Sequence, residues 1–166
     1  MNAQALNTYD LPLQDRIILV TGATGGIGDA IVERLAAEGA RPVIHFARNE
    51  AAAKALLDRI NGRGWIVQAD LTTREGPEQL WSATLQQAGH VDALINNAGI
   101  RSEIPISADT EVWQVAWERE FRINFFAAAD LCRLAIRHFQ DRGGGSIVNM
   151  ASRAGQRGYA ADAMPY

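Results

Sequence analysis

A glycine-rich segment near the amino terminus has the residue types needed to bind a phosphate group. Residues 21–28 read Thr-Gly-Ala-Thr-Gly-Gly-Ile-Gly, between a short aliphatic run and a helical pattern. A phosphate can approach the backbone at a helix N-terminus, where free N–H groups and the helix dipole favour negative charge. Gly22 would permit a sharp turn, Gly26 would keep a Cβ out of the phosphate's path, and Gly28 would let helix and strand pack closely. This strand–turn–helix context predicts a dinucleotide-diphosphate site rather than an ordinary connecting turn.

The elements that must position this turn alternate between strand and helix. Short β-branched or aliphatic runs predict five strands, over residues 16–21, 42–47, 64–69, 91–96 and 146–151. Helical spacing predicts helices between the strands. The first carries Ile27, Ile31 and Leu35, the second lies near residues 50–60, and the third begins at Pro77. A long helical region follows from about Asp109 to Arg142, and a break could divide it in two. Strands alternating with helices indicate an α/β fold, a doubly wound, Rossmann-like parallel sheet of order 3-2-1-4-5.

Composition excludes several classes of protein. With 166 residues and 48% apolar composition, residues 1–166 can form one domain with a core. The net charge is −3 and no basic stripe is visible, so we expect no nucleic-acid partner. One cysteine, no secretion signal in the first fifteen residues and no apolar run that could span a bilayer predict a cytoplasmic protein without a membrane partner. The three histidines form no metal-ligand set, so we expect no metal.

Four motifs, in order and over nearly the whole chain, resemble those of the short-chain dehydrogenase/reductase family. Residues 21–28 fit its T-G-x-x-x-G-x-G fingerprint, and residues 96–99 read Asn-Asn-Ala-Gly, as at the end of its fourth strand. Asn124 lies in the context Arg-Ile-Asn-Phe, and residues 146–152 resemble the segment that ends in the family's catalytic serine. Extended sugar epimerases and dehydratases share the T-G-A-T-G start, but N-N-A-G indicates the shorter, single-domain branch. The segment around residues 45–49 most resembles 3-oxoacyl-carrier-protein reductases.

The resemblance implies an oxidoreductase that transfers a hydride between NAD(P)H and a small-molecule carbonyl or secondary alcohol. In this family a tyrosine is the acid/base, a serine hydrogen-bonds the substrate oxygen, an asparagine holds a water of the proton relay, and a lysine four residues beyond the tyrosine lowers its pKa. Carried over to this chain, the catalytic residues are Asn124, Ser152 and Tyr166. Tyr159 fits less well, because the lysine would have to be residue 163, which is alanine.

The resemblance also implies where the cofactor binds. The expected cofactor-binding residues are Thr21, Gly22, Thr24, Gly25, Gly26, Ile27, Gly28, Arg48, Asn49, Asp70, Leu71, Asn97, Ala98 and Gly99. Asn97 would line the nicotinamide ribose, while Asn96 would mainly tie strands together. Asp70 would contact adenine or only cap a turn.

The end of the second strand bears on which nicotinamide cofactor is used. Phe46 stands where NAD-preferring relatives carry Asp, and Arg48 is near, so NADP(H) is favoured and NAD(H) stays possible. Gly25 weakens the preference, because many NADP-dependent members have a second basic residue at that position.

The sequence stops at Tyr166, before the family's lysine and its C-terminal strands and helices. We interpret it as a shortened version of a complete enzyme, C-terminally incomplete, and expect weak or no activity from the chain alone and an association-prone edge around Ile147 and Val148. The complete protein would be a homo-oligomer, a dimer or tetramer. A nucleotide-binding fragment or pseudoenzyme without catalysis is the alternative. An interaction domain using Trp113 and Trp117 is less favoured.

Overall fold

Five parallel strands form one sheet in the order that the sequence predicts. The computed structural model describes residues 11–157. Its strands are β1 (Ile17–Val20), β2 (Arg41–Phe46), β3 (Trp65–Gln68), β4 (Ala93–Asn96) and β5 (Ser146–Asn149). They lie in the order β3-β2-β1-β4-β5, and every neighbouring pair is parallel. The predicted doubly wound, Rossmann-like sheet is confirmed.

Helices cover both faces of this sheet. Their bounds are α1 (Gly26–Ala37), α2 (Glu50–Arg59), α3 (Gly76–Ala88), α4 (Thr110–Phe121), α5 (Ala127–Arg142) and α6 (Ala154–Arg157). α1 and α2 pack on one face, where Val20 and Val32 belong to one buried cluster. α3 and α5 pack on the other, where Leu19 and Leu131 belong to a second cluster. Because successive strand side chains point to opposite faces, the wholly apolar β1 contributes to both clusters.

The long helical region between β4 and β5 contains a π-helical turn. The turn spans Arg122–Phe126, between α4 and α5, and in it the Ala127 N–H bonds to the Arg122 carbonyl. The possible break in the sequence pattern therefore takes the form of an extra residue in one turn, not of a loop. Single π turns are often found at functional sites, and Asn124 lies in the middle of this one.

Some local expectations need correction. The predicted fourth strand begins too early, because the Val91 N–H donates to His138 Nε2 at 3.2 Å and not to a neighbouring strand. Ile27 is 63% exposed, since the first turn of α1 faces the cleft described below. Trp113 and Trp117, the candidates for an interaction surface, are half-buried, and their rings lie 5.8 Å apart.

β5 lies at an edge of the sheet within residues 11–157. Its Val148 is 48% exposed and Ile147 is half-buried. An apolar edge strand offers unpaired N–H and C=O groups to another chain. The structure therefore has the apolar edge that the sequence led us to expect at these two residues.

Candidate functional site

A cleft opens where the chain reverses its direction of travel across the sheet. The chain runs from β1 outward to β2 and β3, then returns to place β4 on the other side of β1. In open parallel sheets such a switch point leaves a crevice at the carboxyl ends of the strands. Here the cleft has a volume of about 540 Å³ and is lined by the segments that follow β1, β2, β3 and β4, together with part of α4. This size suits a small-molecule ligand.

The glycine turn after β1, which we call the floor of the cleft, has no room for a side chain at two positions. Gly22 has φ +61°, and a Cβ there would lie 2.8 Å from Ala98 Cα. A Cβ on Gly28 would lie 2.4 Å from the Gly22 carbonyl oxygen. Only glycine fits at these two positions, because each backbone packs directly against another backbone.

The residues that directly follow β1 and β4 hold this turn in place. Asn97 Nδ2 donates to the carbonyl oxygens of Thr21 and Gly22, at 3.0 and 3.1 Å. Thr21 Oγ1 accepts from the N–H groups of Asn97 and Ala98, at 3.0 and 2.9 Å. Thr21 itself is buried and does not line the cleft. It joins the ends of two strands.

His45 is a buried support beneath the same turn. Its Nδ1 accepts from the Gly22 N–H at 2.9 Å, and its Nε2 lies 3.1 Å from the Ala69 carbonyl oxygen. These partners specify the neutral tautomer with the proton on Nε2. Burial lowers the pKa of His45 from 6.5 to about 4, although the Ala69 hydrogen bond and the Asp70 charge oppose this shift. His45 thus ties the glycine turn to the end of β3.

The N-terminus of α1 lines the cleft. Gly25 precedes the helix and no side chain caps it. The first N–H groups of a helix lack intrahelical acceptors, so they are available to an anion. A Cβ on Gly26 would enter open space, with no protein atom within 4 Å, so the glycine there leaves room beside these amides. This arrangement fits a dinucleotide diphosphate.

Two guanidinium groups and one carboxylate form the rim near the ends of β2 and β3. Arg48, Asp70 and Arg119 are exposed and line the cleft. Asp70 Oδ1 accepts from Thr72 N at 2.9 Å and Thr72 Oγ1 at 2.7 Å. These two bonds, with the charges of Arg48 and Arg119, lower the pKa of Asp70. The capping role that the sequence allowed for Asp70 is therefore present in the structure.

Asn49 also has a structural partner. Its Oδ1 accepts from Ala52 N at 3.0 Å and so caps α2. Phe46, where a ribose-binding carboxylate was considered, is buried in the core. Asn96 is buried, and its Nδ2 donates to Asn149 Oδ1 at 2.8 Å, so it does join β4 to β5.

Two of the three predicted catalytic residues lie within the described part of the chain, and Asn124 contacts a lining residue of the cleft. Asn124 pairs with the backbone of Ile100: Nδ2 donates to its carbonyl at 2.8 Å and Oδ1 accepts from its N–H at 2.8 Å. Ser152 follows β5, and its Oγ accepts from Ala154 N at 3.1 Å. Neither side chain lines the cleft itself. Tyr166 and its alternative, Tyr159, lie outside the described residues.

Thirteen of the fourteen predicted cofactor-binding residues line this one cleft, the exception being Thr21. Sequence reasoning missed six further lining residues: His45, Ala47, Thr72, Ile100, Arg119 and Ile123. The only usable signal was the spacing of Arg119 and Ile123, which places them on one face of a helix.

The described part of the chain contains neither a cluster of metal-ligating side chains nor a helix able to cross a membrane. Between residues 11 and 157, no group of three or more His, Cys, Asp or Glu side chains could hold a metal ion. No helix in the same range has the length and hydrophobicity that a membrane crossing requires.

Known proteins share this sequence pattern and fold. Residues 16–165 match the profile described as short chain dehydrogenase. A 3beta-hydroxysteroid dehydrogenase of Mediterraneibacter gnavus is 34% identical over 150 residues, which cover 87% of this chain and 52% of that protein. The chain therefore spans about half the length of this curated relative.

Two solved structures resemble the fold closely. The angucycline C-6 ketoreductase LanV, crystallised with bound NADP, superposes with a TM-score of 0.78 at 27% identity, over 90% of this chain and 60% of that one. A short chain dehydrogenase from Mycobacterium smegmatis gives a TM-score of 0.80 at 31% identity, over 90% of this chain and 63% of that one.

Proposed function

The chain belongs to the short chain dehydrogenase family, and on this premise we propose that its cleft binds NADP(H) and that the complete protein interconverts a ketone and a secondary alcohol. The observation that carries the proposal is the floor of the cleft. There, Gly22 and Gly28 leave no room for a Cβ, and the N-terminus of α1, which no side chain caps, lines the same cleft. This combination favours a diphosphate over other ligands, because it supplies converging amides and a helix dipole.

Each wall of the cleft has a role in this proposal. The amides of Thr24 and of residues 26–28 bind the diphosphate, while Asp70 and Leu71 contact the adenine. Residues 97–99 line the nicotinamide ribose. When bound, the nicotinamide supplies or accepts the hydride.

Charge at the rim supports a preference for NADP(H) over NAD(H). Gly25 provides no basic side chain, but Arg119 brings a second guanidinium to the same cleft as Arg48. A 2′-phosphate gains charge-assisted hydrogen bonds from arginine that a 2′-hydroxyl does not. The relative LanV was crystallised with NADP, which agrees with this choice.

Removing Arg48 should weaken NADPH binding much more than NADH binding. A hydrogen bond to a charged group contributes ~1.5–3 kcal/mol, so Arg48→Ala should raise the Kd of NADPH roughly 10- to 100-fold. NADH should lose less than roughly threefold, because its ribose carries no phosphate. Calorimetric titration of both cofactors measures these changes. Arg137→Ala, at an exposed position of α5 outside the cleft, is the control and should change neither affinity.

Equal NADPH and NADH affinities before and after Arg48→Ala would contradict the cofactor preference. In that case the cleft would still bind a dinucleotide, with Asn49 or Arg119 left as candidates for contact with the ribose. Arg119→Ala, titrated in the same way, distinguishes contact with Arg119 from contact with Asn49.

We assign the proton-transfer roles to Ser152, Tyr166 and Asn124. The Ser152 hydroxyl accepts a hydrogen bond from Ala154 N, and no acceptor within residues 11–157 takes its proton, which supports donation to a substrate oxygen. Tyr166 acts as the acid/base in this proposal, and Asn124 as the holder of the relay water.

The partners of the protein are then a small carbonyl or alcohol and a second copy of the chain. The exposed Val112, Val115 and Phe125 around α4 favour this self-association, which sedimentation of the full chain would test.

Ketone-dependent oxidation of NADPH is the direct test of the reaction. In the complete protein, Ser152→Ala should lower kcat/KM for a responsive ketone by roughly 100-fold or more, with little change in NADPH affinity. Steady-state kinetics over a panel of aromatic, cyclic and β-keto thioester ketones, with calorimetry of NADPH, measures both quantities. NADPH binding without turnover on any ketone would favour the alternative of a nucleotide-binding protein without catalysis.

A further inference from the structure

A fully buried carboxylate lies one helical turn before Asn124. Glu120, in α4, has no solvent-exposed surface. Glutamate is almost never fully buried unless it is paired or hydrogen-bonded, because desolvation penalises its charge. The cofactor and catalytic roles proposed above leave this residue without a role.

The two oxygens of Glu120 have different partners. Oε1 accepts a hydrogen bond from the Ser102 N–H, and Oε2 accepts from Asn124 Nδ2 at 3.2 Å. Asn124 Nδ2 also donates to the Ile100 carbonyl, so both of its N–H groups are used. Glu120 therefore connects the π-helical turn to the segment that follows β4.

A carboxylate can fix which way an asparagine amide faces. The terminal torsion of asparagine is broad and roughly two-fold, so steric packing alone distinguishes its oxygen from its nitrogen poorly. An ionised carboxylate only accepts hydrogen bonds, and it therefore selects the NH₂ side of Asn124. The opposite orientation would bring the amide oxygen against two acceptors, the Glu120 carboxylate and the Ile100 carbonyl.

The amide orientation matters because Asn124 supports one wall of the cleft. Its amide pairs with both backbone groups of Ile100, which lines the cleft next to Gly99. A Cβ on Gly99 would lie 3.3 Å from Asn124 Oδ1, so backbone and amide are in close contact. A rotated amide would lose both Ile100 hydrogen bonds and release this segment.

We infer that Glu120 is a positioning residue: its carboxylate holds the Asn124 amide in one orientation and clamps residues 100–102 against the π-helical turn. Glu120 does not line the cleft, so it acts only through Asn124 and this segment. The consequence for catalysis rests on the proposed function, in which Asn124 serves the proton relay and this wall lies beside the nicotinamide.

The decisive variant is Glu120→Gln, which keeps the side-chain shape. Glutamine offers one acceptor oxygen and one donor NH₂, so it cannot satisfy both the Ser102 N–H and Asn124 Nδ2. In nitrogen-15 spectra of the full chain labelled at asparagine, the pair of N–H signals from the Asn124 side-chain NH₂ group should shift. Its protons should exchange with water roughly 10-fold faster or more. Glu118→Gln, at an exposed position of α4, is the control and should leave this pair unchanged.

Cofactor fragments separate this inference from the proposed function. Glu120→Gln should weaken NADPH binding several-fold but leave adenosine 2′,5′-bisphosphate, which has no nicotinamide half, unaffected. If neither ligand binds the unsubstituted chain, the proposed function fails, while the asparagine signals still decide whether Glu120 orients Asn124.

An unchanged Asn124 pair in a folded Glu120→Gln chain would overturn the inference, even if the variant is less stable, because Glu120 would then contribute only to stability. If the variant does not fold, the unsubstituted chain still provides a test. Its Asn124 amide protons should exchange roughly 10-fold slower than those of the exposed Asn61, and equal exchange would also overturn the inference.

Discussion

Gly28→Ala should abolish dinucleotide binding and also destabilise the fold. The new Cβ would lie 2.4 Å from the Gly22 carbonyl oxygen and 2.8 Å from both Ala23 Cα and Asn97 Nδ2. These are mostly backbone atoms, which cannot move aside as a flexible side chain would. We expect the free energy of unfolding to fall by roughly 1–3 kcal/mol or more, and NADPH binding to weaken at least ~100-fold. Urea denaturation and calorimetry measure the two effects.

Gly26→Ala is the matched variant, because it separates ligand contact from folding. A Cβ on Gly26 would meet nothing within 4 Å, and the residue begins α1 with φ outside the left-handed region. The fold should keep its stability or gain up to ~1 kcal/mol. The added methyl would nevertheless lie in the proposed path of the diphosphate, so NADPH binding should fall roughly 10-fold or more. Unchanged NADPH affinity in Gly26→Ala would mean that the diphosphate does not pass this residue.

The sheet could be predicted from sequence because its signals are local. β1 is apolar at every position, which only a strand covered on both faces requires, and the following Gly22 and Gly28 mark the turn. Strand order then follows from the handedness of the connections. Errors appear where a local pattern competes with a distant contact. The pattern predicts that Val91 belongs to a strand, but its N–H donates a hydrogen bond to His138 Nε2.

The supports of the site could not be predicted, because they depend on contacts between distant segments. His45 links the turn at Gly22 to Ala69, 23 and 24 residues away on either side. Arg119 reaches the cleft only because α4 passes near the end of β3; its spacing with Ile123 groups the two residues on one helix face but does not show what that face lines. Glu120 and Asn124 are four residues apart, but their joint contact with residues 100–102 needs the π-helical turn and the folded loop.

The second large effect concerns His45 and pH. The pKa of His45 is about 4 in the folded chain because burial disfavours its charged form, against 6.5 for an exposed histidine. Between these values the unfolded chain binds the proton and the folded chain does not, so the free energy of unfolding must fall as pH falls from about 6.5 to about 4. Converted at ~1.4 kcal/mol per pKa unit, His45 alone should account for about 3 kcal/mol of that loss.

Asp70 and His138 also have lowered pKa values, so their protonation in acid lowers the free energy of unfolding as well. His45→Gln isolates the contribution of His45. Glutamine retains one acceptor and one donor but does not titrate, so the variant should lose about 3 kcal/mol less than the natural chain between pH 7 and pH 4. Urea denaturation at each pH gives the difference. A proton-NMR titration of the folded chain should show no His45 transition near 6.5, and a transition there would contradict the argument.

The same protonation links acid stability to the cofactor site. Nδ1 can accept from the Gly22 N–H only while it carries no proton, so a charged His45 would turn an acceptor into a donor beneath the glycine turn. Through neutral and mildly acidic pH the turn keeps this support, because the depressed pKa holds the imidazole neutral. Affinity for NAD⁺ should therefore stay level from pH 7 down to about 5 and weaken only as pH approaches 4, in step with His45 protonation. NAD⁺ is the ligand for this test because it lacks the 2′-phosphate of NADP(H), which itself titrates at about pH 6. A decline centred near 6.5 would show that the support for the turn comes from another group.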